Sequence, residues 1–307
     1  MIVLCPGQGA QYVGMGKDLA ERFPAARETF QEIDDALGVA LSRIMWEGPE
    51  EELTLTHNAQ PAILAHTVAV FRIAGPRLGT ARAALGHSLG EYAAYVAAGA
   101  LPVREAARLV RRRGELMADA GTRRRGTMAA VIGLPTAEVR AACAEATTAE
   151  SVVVAANLNA PDQTVISGDP EAVERAAEGC RTRGAKRVLP LKVSGAFHSP
   201  LMEPAVAGLR EALGKASFAT PAFPVIANAT ATPVTSAPEA VRLLAEQLTA
   251  PVRFVECVQA AAALAPESAF VEMGPGAVLS GLVKRILPDR PATPLKTPDD
   301  LDRFLAA

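Results

Sequence analysis

Gly86-His87-Ser88-Leu89-Gly90 sets a serine two residues from a glycine on either side. Ala81-Arg82-Ala83-Ala84-Leu85 before it reads as a short strand, and the alanine-rich stretch after it as a helix. That is the pattern of a nucleophile elbow, in which flanking glycines let a strained turn push a hydroxyl into the open. A serine exposed over a helix N-terminus points to acyl transfer, provided a base takes its proton. Histidine is the usual base, and the chain has His57, His66, His87 and His198. His87 precedes the serine, so its side chain points elsewhere and is expected to pack against the turn. His57 and His66 lie in or before an apolar helix and suit core or cap roles. His198, in Ser194-Gly195-Ala196-Phe197-His198-Ser199-Pro200, follows a strand end, where α/β proteins place functional groups, and is the candidate base.

Acyl transfer also needs backbone N–H groups aimed at the developing oxyanion. Leu89 supplies one, being the residue after the nucleophile at a helix N-terminus. A second can come from the turn Pro6-Gly7-Gln8-Gly9-Ala10-Gln11, which lacks the downstream lysine and hydroxyl of a phosphate-binding P-loop. Arg108, Arg111, Arg112 and Arg113 crowd one helix, as a solvated face or as phosphate contacts. One turned inward would offer a fork matched to a carboxylate.

These groups are positioned by alternating strands and helices. Ile2–Cys5 is predicted as a buried strand, with helices over about 14–23, 25–37 and 58–75, then from Ser88 to about 98 and over about 102–119. Thr127–Gly133, Val152–Asn157, Gln163–Gly168 and Lys186–Val193 read as strands. Helices over about 136–147, capped by Thr136, and from Asp169 as cap to about Gly184 complete a β-α-β-β-α-β order. That order is a split βαβ, ferredoxin-like unit at 126–192, inserted in a larger domain made of 1–125 and 193–307. Later come strands at Phe223–Asn228 and Ser268–Met273 and helices over about 237–248, 252–264 and 277–286, giving an α/β class with a mostly parallel sheet covered on both faces. Gly274-Pro275-Gly276 reads as a structural turn, and the Pro- and Asp-rich tail from Pro288 as peripheral.

A chain of 307 residues with formal charge −2 has no general attraction to nucleic acid or to an anionic membrane. No apolar run is long enough to span a bilayer, and no signal-peptide pattern opens the chain, which implies a cytoplasmic protein. Cys5, Cys143, Cys180 and Cys257 are widely spaced, which suits small buried hydrophobes in a reducing compartment better than a metal site or disulfides.

Five segments together resemble the malonyl-CoA:acyl-carrier-protein transacylase family over most of the chain: Pro6–Gln11, Gly86–Ala93, Arg113-Gly114-Glu115-Leu116-Met117, Ala196-Phe197-His198-Ser199 and Glu272-Met273-Gly274-Pro275-Gly276. The resemblance implies an α/β-hydrolase-like large domain with a ferredoxin-like insertion. It implies Ser88 as nucleophile, His198 as base, Gln8 and Leu89 as oxyanion donors, and Arg113 as the partner of the malonyl carboxylate. Gln247 would orient His198 through its backbone carbonyl, so the third member of the triad is not a carboxylate. In related acyltransferases of polyketide synthases, Ala-Phe-His accompanies malonyl and Ala-Ser-His methylmalonyl selection. Phe197 would thus crowd an α-methyl branch, or simply pack the pocket wall. The implied reaction is ping-pong transfer from malonyl-CoA to acyl carrier protein, with no metal or redox cofactor. Arg111, Arg112, Arg123, Arg124 and Arg125 are candidates for docking the acidic carrier or the CoA phosphates. A trans-acting polyketide acyltransferase, a serine acyl hydrolase or editing thioesterase, and a non-catalytic docking partner are the alternatives.

Overall fold

The computed structural model describes residues 1–78 and 81–306. Its first half runs β1 (Ile2–Cys5), α1 (Lys17–Arg22), α2 (Pro24–Leu37), α3 (Leu41–Glu47), α4 (Glu50–Thr54), α5 (Thr56–Leu78), β2 (Ala83–Gly86), α6 (Gly90–Ala97) and α7 (Val103–Arg123). Then come β3 (Thr127–Ile132), α8 (Thr136–Ala146), β4 (Val153–Ala160), β5 (Gln163–Gly168), α9 (Pro170–Thr182) and β6 (Arg187–Pro190). The last third holds α10 (Glu203–Lys215), β7 (Val225–Ile226), β8 (Pro233–Val234), α11 (Ala237–Glu246), α12 (Phe254–Leu264), β9 (Phe270–Met273), α13 (Val278–Ile286), β10 (Ala292–Leu295) and α14 (Pro298–Ala306).

The fold is α/β, with two separate sheets. The larger has the order β10-β9-β1-β2-β7-β8, parallel except for the β7–β8 pair. Its central strand, Ile-Val-Leu-Cys, is apolar throughout because both faces are covered. Val3 and Cys5 pack into one hydrophobic cluster, and Ile2 and Leu4 into another on the opposite face. The smaller sheet, β4-β5-β3-β6, is antiparallel. Along β3, Ala129 and Val131 face the cluster shared with α8 and α9, whereas Met128 and Ala130 turn toward the large-sheet cluster.

Several local expectations are corrected. The tail is not peripheral: β10 is the edge strand of the large sheet, and Leu295 and Leu301 are buried. α3, α4 and α10 fall in segments that carried no expected element. Asp169 stands at the N-cap of α9 as expected but makes no side-chain capping bond, whereas Thr136 is the first residue of α8 and Pro135 its cap. Thr136 instead meets the Thr164 hydroxyl, and the Asp169 carboxylate accepts from Arg124 and from Val152 N–H.

Candidate active site

Ser88 stands between β2 and α6 with φ of +54°, a conformation that costs energy in any residue but glycine. The two glycines are required by contact. A Cβ on Gly86 would lie 2.0 Å from the Gly90 carbonyl carbon, and one on Gly90 would lie 2.1 Å from the Cys5 oxygen. The helix can therefore start directly against the strand ends. Asn228, just past β7, brackets the turn: its Oδ1 accepts from Ser88 N–H at 2.7 Å and its Nδ2 donates to the Gly86 carbonyl at 2.7 Å.

His198 reaches the serine from the segment after β6, also at positive φ (+56°). Ser88 Oγ and His198 Nε2 are 2.7 Å apart. The Nδ1 side faces the Gln247 backbone carbonyl at 3.0 Å, so Nδ1–H donates there and Nε2 is left as the acceptor for the serine proton. Burial, helped by the Arg113 charge, pushes the imidazole down to about 3, so the free ring is neutral and ready to take a proton. The residue that orients it contributes a carbonyl and no acid.

Of the four crowded arginines, Arg113 is the one turned inward. It lies on the α7 stripe formed by Ala106, Val110, Met117 and Ala120, and is 1% exposed. Nη2 donates to Ser88 Oγ at 2.9 Å and to Gln247 Oε1 at 3.0 Å, and Nη1 donates to Gln60 Oε1 at 2.8 Å. Its Cζ lies 5.9 Å from the Tyr92 ring centroid. Among the described residues no carboxylate comes within ion-pair distance of it. Two amide oxygens thus hold a buried cation without neutralising it. The serine oxygen consequently receives a hydrogen bond from a cation and gives one to a neutral base, an arrangement that favours alkoxide character as the proton leaves.

The hydroxyl opens into a cleft of about 390 Å³ lined on one side by Gln8, Gly9, His87, Phe197 and His198. Met128, Ala130 and Val165 of the small sheet, with Leu191 and Lys192, line the other. Phe197 is both cleft lining and part of the large-sheet cluster, so its ring sits in the wall beside the histidine. The N–H groups of Gln8 and Leu89 find no protein acceptor among the described residues. Both are therefore free to serve an oxyanion, Leu89 at the N-terminus of α6.

Of the other histidines, His66 and His87 pack as expected, whereas His57 is half-buried in the first turn of α5, neither core nor cap. His66 is fully buried in α5, with burial lowering it to about 4. His87 packs at a centroid distance of 5.6 Å from Phe254, with Nε2 2.8 Å from Asn159 Oδ1 of β4. Glu272 explains the late motif: its carboxylate accepts from Leu279 and Ser280 N–H and caps α13. The cysteines are buried and unpaired.

Residues 2–296 match the acyl transferase domain family. The chain belongs to that family. The malonyl CoA-acyl carrier protein transacylase of Bacillus subtilis (strain 168) is 45% identical over 283 residues, 92% of this chain and 89% of the relative. Its counterpart of the same name in Escherichia coli (strain K12) is 44% identical over 297 residues, 95% and 94% of the two chains. An acyl carrier protein S-malonyltransferase from Vibrio cholerae O1 biovar eltor superposes with a TM-score of 0.93 at 41% identity, covering 98% of each chain. A malonyl-transacylase solved with a holo type II polyketide acyl carrier protein superposes at 0.95 with 40% identity, over 99% of this chain and 98% of that one.

Three polar residues of this acyltransferase site escaped the sequence reading: Gln60, Asn228 and Glu91. Gln60 and Asn228 are isolated polar residues beside apolar runs, a weak signal that gains meaning only once they are seen buried. Glu91 stands in the first turn of α6, where an acid normally complements the helix dipole in solvent; here it is fully buried. The expected docking arginines are mostly engaged. Arg111 and Arg112 pair with Glu115, Arg123 with Asp119 and Arg124 with Asp169. Arg125, Lys186, Arg187 and Lys192 are exposed cations with no ion pair among the described residues, and Lys192 borders the cleft. No helix among the described residues is long and apolar enough to cross a membrane.

Proposed function

We propose that this acyltransferase moves malonyl from malonyl-CoA to the phosphopantetheine thiol of an acyl carrier protein through a malonyl ester on Ser88. The observation that carries the reading is the position of Ser88 Oγ, 2.7 Å from a neutral His198 Nε2 and 2.9 Å from an Arg113 whose charge no side chain neutralises. A buried cation without a counter-ion favours a substrate that brings one, and the free carboxylate of malonate does so.

In the first half-reaction His198 Nε2 takes the hydroxyl proton as Oγ bonds to the thioester carbonyl carbon. The resulting oxyanion is met by the N–H groups of Gln8 and Leu89. Collapse breaks the C–S bond, and the sulfur leaves as CoA thiol with the proton from His198. The carrier thiol then gives its proton to His198, attacks the ester carbonyl, and Ser88 recovers its proton as the acyl group departs. Electrons and protons balance with these groups alone, so the reaction as written calls for no metal or redox cofactor. Phe197 in the wall favours malonyl over an α-branched acyl group. We read 126–192 as a ferredoxin-like insertion in the catalytic domain of 1–125 and 193–307, and the protein as cytoplasmic.

Mass spectrometry of the protein mixed with malonyl-, methylmalonyl- and acetyl-CoA in competition tests this. The expected product is a malonyl adduct on the Ser88 peptide, absent in Ser88→Ala and discharged by holo carrier protein but not by water. Loss of the adduct to water at the same rate, with no carrier acylated, would favour the hydrolase reading. The likeness to a transacylase bound to a polyketide carrier supports testing carriers of both fatty-acid and polyketide type.

A further inference from the structure

Behind the serine lies a buried carboxylate that the reaction as written does not use. Glu91 Oε2 accepts from Gln247 Nε2 at 2.8 Å and from Asn228 N–H at 2.9 Å, while Oε1 has no hydrogen-bond partner. Both donors belong to residues that hold the site. Asn228 brackets the elbow through Ser88 N–H and the Gly86 carbonyl. Gln247 presents its backbone carbonyl to His198 and its side-chain oxygen to Arg113.

Glu91 decides which way the Gln247 amide lies. The Nε2 end sits 2.8 Å from the carboxylate, 2.9 Å from the Ser88 carbonyl and 3.4 Å from Asn228 Oδ1, three acceptors that would repel an amide oxygen. The oxygen end is thereby turned to the guanidinium. Without the carboxylate, the one charged group of the three opposing a flip is gone, and a flipped amide would set NH2 against a cation. Its charge is also felt by Arg113 from behind the amide, without an ion pair and without occupying the fork needed by substrate.

We propose that Glu91 is a positioning residue for acyl transfer, locking Gln247 against Arg113 and His198 and lending its negative charge to the site as His198 becomes imidazolium. This rests on the Ser88–His198 reading above. The titratable or charged groups around Glu91 are Arg113 of α7, Tyr92 and Tyr95 of its own helix, Cys257 of α12, and His198 through Gln247. Burial raises the carboxyl to about 7, opposed by the hydrogen bonds from Asn228 and Gln247 and by Arg113. All four histidines are pushed below their ordinary value by burial, His66 to about 4 and His198 to about 3.

The test is the single-turnover rate of acyl-Ser88 formation from about pH 5.5 to about pH 8.5 in the wild type, Glu91→Gln and Glu91→Ala. The wild-type rate is expected to fall on the acid side of a limb near pH 7, as Glu91 takes a proton. Glu91→Gln keeps an acceptor for both donors but no charge; it should be about tenfold slower at pH 8, with the acid limb moved down by about one unit or more. Glu91→Ala should be slower still, because Gln247 and Asn228 each lose an acceptor. A wild-type rate flat through pH 7 overturns the proposal, even if Glu91→Gln fails to fold. So does Glu91→Gln with the wild-type rate and profile, whatever Glu91→Ala does. If Ser88 loads from another acyl-CoA and not from malonyl-CoA, the substrate reading fails, and the same profile taken with that thioester still decides the role of Glu91.

Discussion

On the parallel-sheet side of the cleft, Ser88, Arg113, His198, Gln247, Asn228 and Glu91 hold one another through hydrogen bonds of 2.7–3.0 Å, all but the serine buried. On the other side, Met128, Ala130 and Val165 present an apolar wall, and the adjoining edge strand β6 is exposed and basic. The first side is over-determined: each of these residues has a partner whose own geometry is fixed by a third. The second supplies shape and charge with a sparser set of polar contacts, in which Asn159 meets His87 Nε2. Chemistry that tolerates little displacement is built on the strand ends of the parallel sheet, and recognition that tolerates more is left to the antiparallel sheet.

The sharpest way to break this contrast is at the elbow. Gly86→Ala drives a methyl into the α6 backbone and should cost about 3 kcal/mol or more, read as a lowered denaturant midpoint and lost Ser88 acylation. A stable, active Gly86→Ala would mean that the turn is far more pliable than its contacts indicate. Next, Arg113→Ala should lower kcat/KM for malonyl-CoA by about a hundredfold or more while affecting acetyl-CoA much less. Equal losses for both thioesters would make Arg113 a support of the serine and not a carboxylate receptor.

Phe197 lies where the two regimes meet. Phe197→Ser should raise the ratio of methylmalonyl to malonyl loading by about 10- to 200-fold, the range that one methyl commands in a pocket. An unchanged ratio would assign the ring to packing alone. The smallest effect belongs to the basic edge. Reversing charge at Lys186, Arg187 and Lys192 together should raise KM for carrier protein about three- to tenfold at low salt and little at high salt. A KM insensitive to both changes would remove this edge from carrier recognition.

The sequence made the groups that act on substrate legible because their motifs sit at turns where chain direction and residue type are tightly coupled. The glycines around Ser88 and the strand end before His198 are examples. The helix spacing of Arg113 was legible only in part: its stripe looks like core, and four neighbouring arginines hid which one faces inward until the family resemblance chose among them. Glu91 stood inside the Gly86–Ala93 segment but carried no role there, and Asn228 and Gln60 were not legible, since a polar residue in a chain gives no sign that it will be buried against Glu91, 137 positions away, or Arg113, 53 positions away. The tail misled for a related reason. Proline and aspartate in 288–300 suggest a loop, but an edge strand needs only one paired side and tolerates Pro294.

The pairing of β1 carries a consequence for how the protein is made. Ile2–Cys5 has Ala83–Gly86 on one side and Phe270–Met273 on the other, so its second neighbour leaves the ribosome last among the strands it touches. The strands of the small sheet all lie between Thr127 and Pro190 and can associate while synthesis continues. Ser88 itself waits for Asn228 and Gln247, 140 and 159 residues downstream. A nascent chain that has completed its small sheet therefore carries the whole serine motif with none of these later restraints on it. Assembly order keeps the nucleophile without its elbow bracket and histidine support until Asn228 and Gln247 have been made.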